Sequence, residues 1–326
     1  MLLKIASSVY RRVNNRALAL FNRTPNNNYS KPILTSIDAN AAIKKLLVSD
    51  KPVMIARFGR TEMSCVINYL SMKTAKENSF TKIRLQIKQG VDGYWKGWNN
   101  EVKENMCSLS GMFPKSEDML NRFAELMLTQ MKELDVLGVW NLYGEDYVQK
   151  RYFKDASLIG LMSIEPYYHE DPWIKCLQGK KVLVIHPFEE SIITNYKNRE
   201  KIFPNGFLPA FELKTIKAVQ SIAHNTTSFT DWFEAYDYMC RQIDATDFDI
   251  AIIGAGAYGF PLAAYVKQVG KKSIHIGGAT QVLFGIKGKR WDDNPFFQAL
   301  YNEHWTRPLP SEIPRRSEIV EDSCYW

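Results

Sequence analysis

Three glycine-bearing turns in this chain combine residue types that could grip an anion and act on what it carries. The first is Arg57-Phe58-Gly59-Arg60-Thr61-Glu62, which closes the apolar run Val53-Met54-Ile55-Ala56. Arg57 would end a strand, Thr61 can cap a following helix, and Glu62 would lie in that helix's first turn. An acid there also complements the helix dipole, by roughly 0.3–1 kcal/mol, without any other role.

The second turn is Gly254-Ala-Gly256-Ala-Tyr258-Gly259, behind Asp249-Ile-Ala-Ile-Ile. Strand, G-x-G-x-x-G and helix is the dinucleotide fingerprint: glycines let the backbone approach closely, and the helix start offers N–H groups to phosphate. A site for NAD adds an acid about 20 residues on, to hold the ribose hydroxyls. Phe260 to Trp291 contains neither Asp nor Glu. The segment therefore favours a phosphorylated or diphosphate ligand over NAD, with glycines used only for helix–sheet packing as the other account.

The third turn is His275-Ile276-Gly277-Gly278, followed by Gln281 and by Lys287, Lys289 and Arg290. Each charge-assisted contact from such cations to a phosphate oxygen contributes about 1.5–3 kcal/mol; a solvated basic loop has the same composition. A fourth strand end, Lys181 to His186, runs into Pro187-Phe188-Glu189. His186 and Glu189 are candidate acid/base groups, although a histidine before proline is as often structural. Tyr196 and Arg199 follow within reach of the same cleft. Asp92-Gly-Tyr-Trp-Lys-Gly-Trp98 puts aromatics beside glycines, either as a wall for a sugar or as core packing. HExxH, P-loop and GxSxG patterns and paired Cys/His spacings do not occur, which excludes the common metalloprotease, NTPase and hydrolase readings.

The elements that position these turns alternate along the chain. Candidate strands are Val53–Phe58, Val136–Asn141, Lys181–His186, Asp249–Gly254 and Lys272–Gly277. Candidate helices are Thr61–Leu70, Ser116–Glu133, Glu190–Ile202, Thr230–Ala245 and Tyr258–Val269. This order predicts an α/β, Rossmann-like, mostly parallel sheet with helices on both faces. Ligands of such sheets collect beyond the carboxyl ends of the strands. Phe211–Ala223 fits strand alternation and helical spacing equally.

The 326 residues carry a net charge of +7, yet six bases and no acid lie in residues 1–31, so the rest is close to neutral. A nearly neutral body argues against nucleic acid as a partner. The organisation expected is a basic amphipathic segment over 1–31, one α/β domain over 32–305 and an extended proline-bearing tail over 306–326. The leader could dock on an anionic membrane surface, pack on the body, remain a solvated arm, or act as an organellar transit peptide. No apolar run is long enough to cross a bilayer. Five scattered cysteines suit a cytoplasmic protein, peripheral at the inner membrane face if the leader docks.

Arg57-Phe58-Gly59-x-x-Glu62 resembles the Arg-Phe-Gly-Asp-Gly-Glu signature of the GT-D-type glycosyltransferases of bacterial adhesin-glycosylation and surface-polysaccharide systems. The layout of Ile252 to Gly278 is similar to the second half of that family, and the likeness covers most of residues 50–290. It implies a Rossmann-like fold, a nucleotide-diphosphate sugar as donor, and an Asp-x-Glu pair that helps hold a divalent metal such as Mn2+ or Mg2+; the acceptor expected is a glycan, which could be lipid-linked. Here Arg60 replaces the Asp, and Glu62 alone carries over as a ligand. Transfer needs the charge growing on the diphosphate to be stabilised, by a metal or by fixed cations. Arg57, Arg60 and the Lys287–Arg290 cluster are the cations available.

The expected activity is transfer of a sugar from a nucleotide diphosphate onto a growing surface glycan. Glu62, Glu189 and His186 are the candidate bases for an inverting transfer, unranked by residue type; a retaining course is equally open. The alternatives are a non-catalytic phospho-glycan-binding or scaffold protein and another Rossmann-type enzyme.

Overall fold

The computed structural model describes residues 28–34, 36–77 and 97–326. Most of the basic leader (1–27) and Asp92 to Lys96 of the aromatic loop lie outside the described residues.

Eight strands form one all-parallel sheet: β1 (Ile33–Leu34), β2 (Val53–Arg57), β3 (Val136–Val139), β4 (Ser157–Gly160), β5 (Lys181–His186), β6 (Glu212–Lys217), β7 (Ile250–Ile253) and β8 (Lys272–His275). Their spatial order is β1-β4-β3-β2-β8-β7-β5-β6. The helices are α1 (Ser36–Val48), α2 (Arg60–Glu77), α3 (Asn100–Ser108), α4 (Glu117–Gln130), α5 (Glu145–Tyr152) and α6 (Glu189–Lys197). They continue with α7 (Arg199–Ile202), α8 (Trp232–Asp244), α9 (Gly259–Gln268), α10 (Thr280–Leu283), α11 (Lys289–Asp292) and α12 (Pro295–Leu300).

Side chains alternate across a strand, so each strand feeds two cores. Met54 and Ala56 of β2, Leu183 and Ile185 of β5, and Ala251 and Ile253 of β7 face a cluster with Val66, Met106, Phe123, Met239 and Leu262 of α2, α3, α4, α8 and α9. Val53, Ile55, Val182, Val184, Ile250 and Ile252 face the other cluster, with Ile43, Trp173, Ile192 and Phe284. The central strands read as unbroken apolar runs because both faces are covered. The fold is thus the expected Rossmann-like α/β arrangement.

Local chemistry sets most boundaries. Ser116 accepts from Met119 N–H at 3.1 Å and Asp231 from Glu234 N–H at 2.9 Å, which starts α4 and α8 at their caps. The helix expected over Glu190–Ile202 is two helices, because the backbone at Asn198 (φ −102°, ψ 12°) breaks it. In Phe211–Ala223 the strand wins: Glu212–Lys217 pairs with β5 residue for residue.

The segment 306–326, expected as an extended tail, is folded onto the body. Thr306 bridges to Ile286, and Pro310–Glu312 and Ser317–Ile319 form 3-10 turns. The buried Glu312 carboxylate accepts from the N–H groups of Glu190 (2.9 Å) and Ser191 (3.1 Å), capping α6 from over 120 residues away. Val320 and Cys324 are buried. The buried Glu312 carboxylate and, beyond the prolines, the buried Val320 and Cys324 anchor this packing.

Candidate functional site

Parallel strands put all carboxyl ends on one edge. The chain winds outward from β2 through β3 to β4, while β7 and β8 step inward from the other side, so β2 and β8 adjoin at a switch of winding direction. A crevice opens at such a point. The cleft found there has a volume of about 170 Å³.

Its walls are turns far apart in sequence. Arg57, Gly59, Arg60 and Glu62 come from the β2–α2 turn, Gly254 and Gly256 from the β7–α9 turn, and His275, Gly277, Gly278 and Gln281 from the segment after β8. His186 comes from the end of β5, and Arg290 from α11.

Arg57 is held in place. Its Nη1 donates to the Phe58 carbonyl at 2.9 Å, and its guanidinium lies 4.9 Å from the Trp140 ring centre, with that of Arg60 at 5.6 Å. Stacking on an aromatic face fixes the planes of both cations while leaving N–H edges for a ligand. Gly277 has φ +63°, and a Cβ there would stand 2.7 Å from Arg57 Nη2, so this glycine serves both a left-handed turn and a close approach. Behind Arg57, burial raises the Glu165 carboxyl, opposed by the Tyr167 hydroxyl and by the charges of Arg57 and Arg290.

Glu62 folds back over the turn. Its Oε1 accepts from Ser110 Oγ at 2.7 Å, and a Cβ on Gly59 would stand 1.7 Å from its Oε2. Only glycine at position 59 lets the carboxylate lie there.

The two histidines on the wall are neutral and oppositely oriented. His186 Nδ1 accepts from Phe188 N–H at 3.0 Å, which puts the ring proton on Nε2. His275 Nδ1 donates to the Ile253 carbonyl at 3.0 Å, which leaves Nε2 as an acceptor. Burial pushes both pKa values down to about 3, that of His275 further lowered by Arg57. His186 is therefore a fixed hydrogen-bond donor at neutral pH and not the base of the sequence reading: its acceptor nitrogen is occupied and it resists protonation.

Gln281 is fully buried; its Nε2 donates to the carbonyls of Lys287 (3.2 Å) and Tyr325 (3.0 Å), and its Oε1 has no partner among the described residues. An unmatched buried amide oxygen on a cleft wall is an acceptor in want of a donor.

Five expected site residues lie off the cleft. Gly259 is a packing glycine: a Cβ there would stand 2.1 Å from His275 Cε1, so its absence lets the histidine sit under α9. Tyr258 is buried against Trp232 (4.5 Å between ring centres, planes 4° apart), and burial raises its pKa. Lys287 points to the Tyr301 ring, 5.0 Å from its centre, and Lys289 Nζ donates to the Asp322 carbonyl at 3.1 Å. Glu189 starts α6 outside the cleft lining. Arg290 does line the cleft, but it is paired with Glu321. Tyr196 and Arg199 also stay away: the Tyr196 hydroxyl donates to the Phe211 carbonyl at 2.8 Å, and Arg199 pairs with Glu200.

Also on the walls are Ser110, Trp140, Gln220, Tyr325 and Trp326. Trp140 follows β3 directly, so the strand-end rule applied to that strand would have found it. Nothing local marks Ser110 or Gln220.

Among the described residues no group of three His, Cys, Asp or Glu is gathered to hold a metal ion. Glu62 is engaged by Ser110 and the other carboxylate on the wall, Glu321, by Arg290. The donor set does not fit Mn2+ or Mg2+, and Arg57, Arg60 and Arg290 are the cations on the same walls. Among the described residues no helix is long and apolar enough to cross a membrane. No family model, curated protein or solved structure matches this chain.

Proposed function

We propose that this protein is a glycosyltransferase that takes a sugar from a nucleotide diphosphate and passes it to a glycan acceptor. The observation that carries the reading is the convergence of the β2–α2 turn with the β7–α9 and β8–α10 turns on one cleft. A diphosphate between them would meet the N–H groups that open α2, a helix of 18 residues, and the guanidinium edges of Arg57 and Arg60.

As the sugar–phosphate bond breaks, charge grows on the leaving diphosphate. Arg57 and Arg60, fixed on Trp140 before the reaction, stabilise it without reorganising. His186 Nε2–H supplies a neutral donor on the same wall. Glu62 is the wall carboxylate without a cationic partner among the described residues, and Ser110 orients it; it is the group placed to take a proton from an acceptor hydroxyl. The resemblance of Arg57-Phe58-Gly59-x-x-Glu62 to the GT-D signature supports the same assignment, with Arg60 in place of the metal-binding acid.

The test is a thermal-shift screen of uridine, guanosine, thymidine and cytidine diphosphates, with manganese or with EDTA. Stabilisation by at least one diphosphate, unchanged by EDTA, is the expected result. No shift with any of them removes the proposal. A binding protein without transfer is the competing reading, favoured because Glu62 is the one wall carboxylate among the described residues without a cationic partner. Release of free nucleotide from a donor sugar separates the two.

A further inference from the structure

The cleft of about 170 Å³ is small for a whole donor, since sites for ligands of drug size run to roughly 300–1,000 Å³. One of its walls is the chain's own segment 320–326: Val320, Glu321, Tyr325 and Trp326 all line it. Tyr325 lies on the third glycine turn, its Cε1 only 2.1 Å from where a Cβ on Gly278 would stand.

That segment engages Arg290 and Gln281 on the cleft wall and Lys289 beside it. Glu321 pairs with Arg290, and Arg290 Nη1 donates to the Tyr325 hydroxyl at 3.1 Å. Lys289 Nζ donates to the Asp322 carbonyl, and Gln281 Nε2 to that of Tyr325. The backbone N–H of Arg290 donates to the Cys324 carbonyl at 2.9 Å.

The closed position also carries strain. Glu321, Asp322 and Ser323 have φ of 46°, 55° and 61°, three successive left-handed residues without a glycine. The Trp326 indole N–H is buried with no partner among the described residues. Strain and an unmet donor disfavour this arrangement; the polar contacts to α10 and α11 hold it.

We propose that residues 321–326 form an autoinhibitory strap over the cleft, with the Glu321 carboxylate on Arg290 as an internal stand-in for an anionic ligand. A diphosphate competes for Arg290, releases Glu321 and lifts Tyr325 from Gly278, which enlarges the cleft. This deepens the glycosyltransferase reading by naming the regulation of its donor site, and requires only that the ligand be a polyanion.

The test uses the full chain and Glu321→Gln, with inorganic pyrophosphate as probe, read by calorimetry and by hydrogen exchange of residues 317–326. Loss of a half-exposed ion pair predicts pyrophosphate binding about two- to fivefold tighter in the variant. It also predicts faster exchange of 321–326 in the variant without ligand, and in the native chain once pyrophosphate is added. Equal affinities with unchanged exchange overturn the strap while leaving sugar transfer intact, as does protection of 321–326 by the ligand. If pyrophosphate opens the strap but no nucleotide diphosphate binds, the strap stands and the glycosyltransferase reading falls. If no anion binds either chain, both fall.

Discussion

Gly254→Ala tests whether three turns really converge on one point. An added Cβ would stand 2.6 Å from His186 Cδ2, 2.7 Å from the Gly277 carbonyl oxygen and 2.7 Å from Thr280 Oγ1. These neighbours belong to the end of β5, the turn after β8 and the start of α10, so no single side-chain rotation relieves all three. The backbone at Gly254 is not left-handed, which makes the cost steric. Overpacking of this kind costs about 1–3 kcal/mol, partly offset by the lower unfolded-state entropy of alanine, for a net loss of about 1–2 kcal/mol. Gly270→Ala is the control: φ is +85° and nothing lies within 4 Å, so its similar penalty is conformational and remote from the cleft. Urea unfolding should lower the midpoint of both variants with the slope unchanged. Pyrophosphate titration should weaken at least tenfold for Gly254→Ala alone, because the methyl drives the anion-binding turns apart. Native stability together with native affinity in Gly254→Ala would refute the convergence.

Arg57→Ala removes a stacked cation from the cleft and should weaken pyrophosphate about 10- to 100-fold by calorimetry, from the roughly 1.5–3 kcal/mol of a charge-assisted contact; an unchanged dissociation constant takes Arg57 out of the site. His186→Asn keeps an acceptor for Phe188 N–H but removes a group whose folded pKa is depressed to about 3. Such a group binds more protons unfolded, so its contribution is present above the ordinary histidine range and is lost as pH falls from about 6.5 toward 3. The acid limb of stability against pH should flatten in the variant, and an unaltered limb would show that the ring is not buried neutral. Glu145 works in the opposite sense: burial raises its carboxyl to about 7 against the lowering effect of Tyr29 and the backbone N–H groups of Leu142 and Trp140. The folded state then holds the extra proton, so its contribution declines as pH rises from about 4.5 through 7. Relative to the native chain, Glu145→Gln should therefore gain stability between pH 5 and pH 8; a constant difference across chemical-denaturation curves at both values would contradict the assignment.

Much of this site could be read from local patterns, because strand ends and glycines report backbone constraints that act within a few residues. Arg57, Gly254 and His275 were found by the rule that strand ends face the ligand, and the sheet put them together. The same rule passed over Trp140, since β3 runs into no glycine-rich turn or cation that would draw notice. Short strands such as β1, at the sheet edge, and its neighbour β4 carried too few alternating residues to register.

The alternation of apolar runs with helical spacing determined the doubly covered parallel sheet, for each such run can bury its two faces in only one way. What Gly259, Lys287, Lys289 and Arg290 do was settled by contacts across the fold. Gly259 yields space to a histidine sixteen positions on, and Lys289 and Arg290 meet a carbonyl and a carboxylate more than thirty residues away. A residue's type states which bonds it can make. Which partner reaches it first depends on where the chain returns, and that was decided only when residues 320–326 packed against the open end of the sheet.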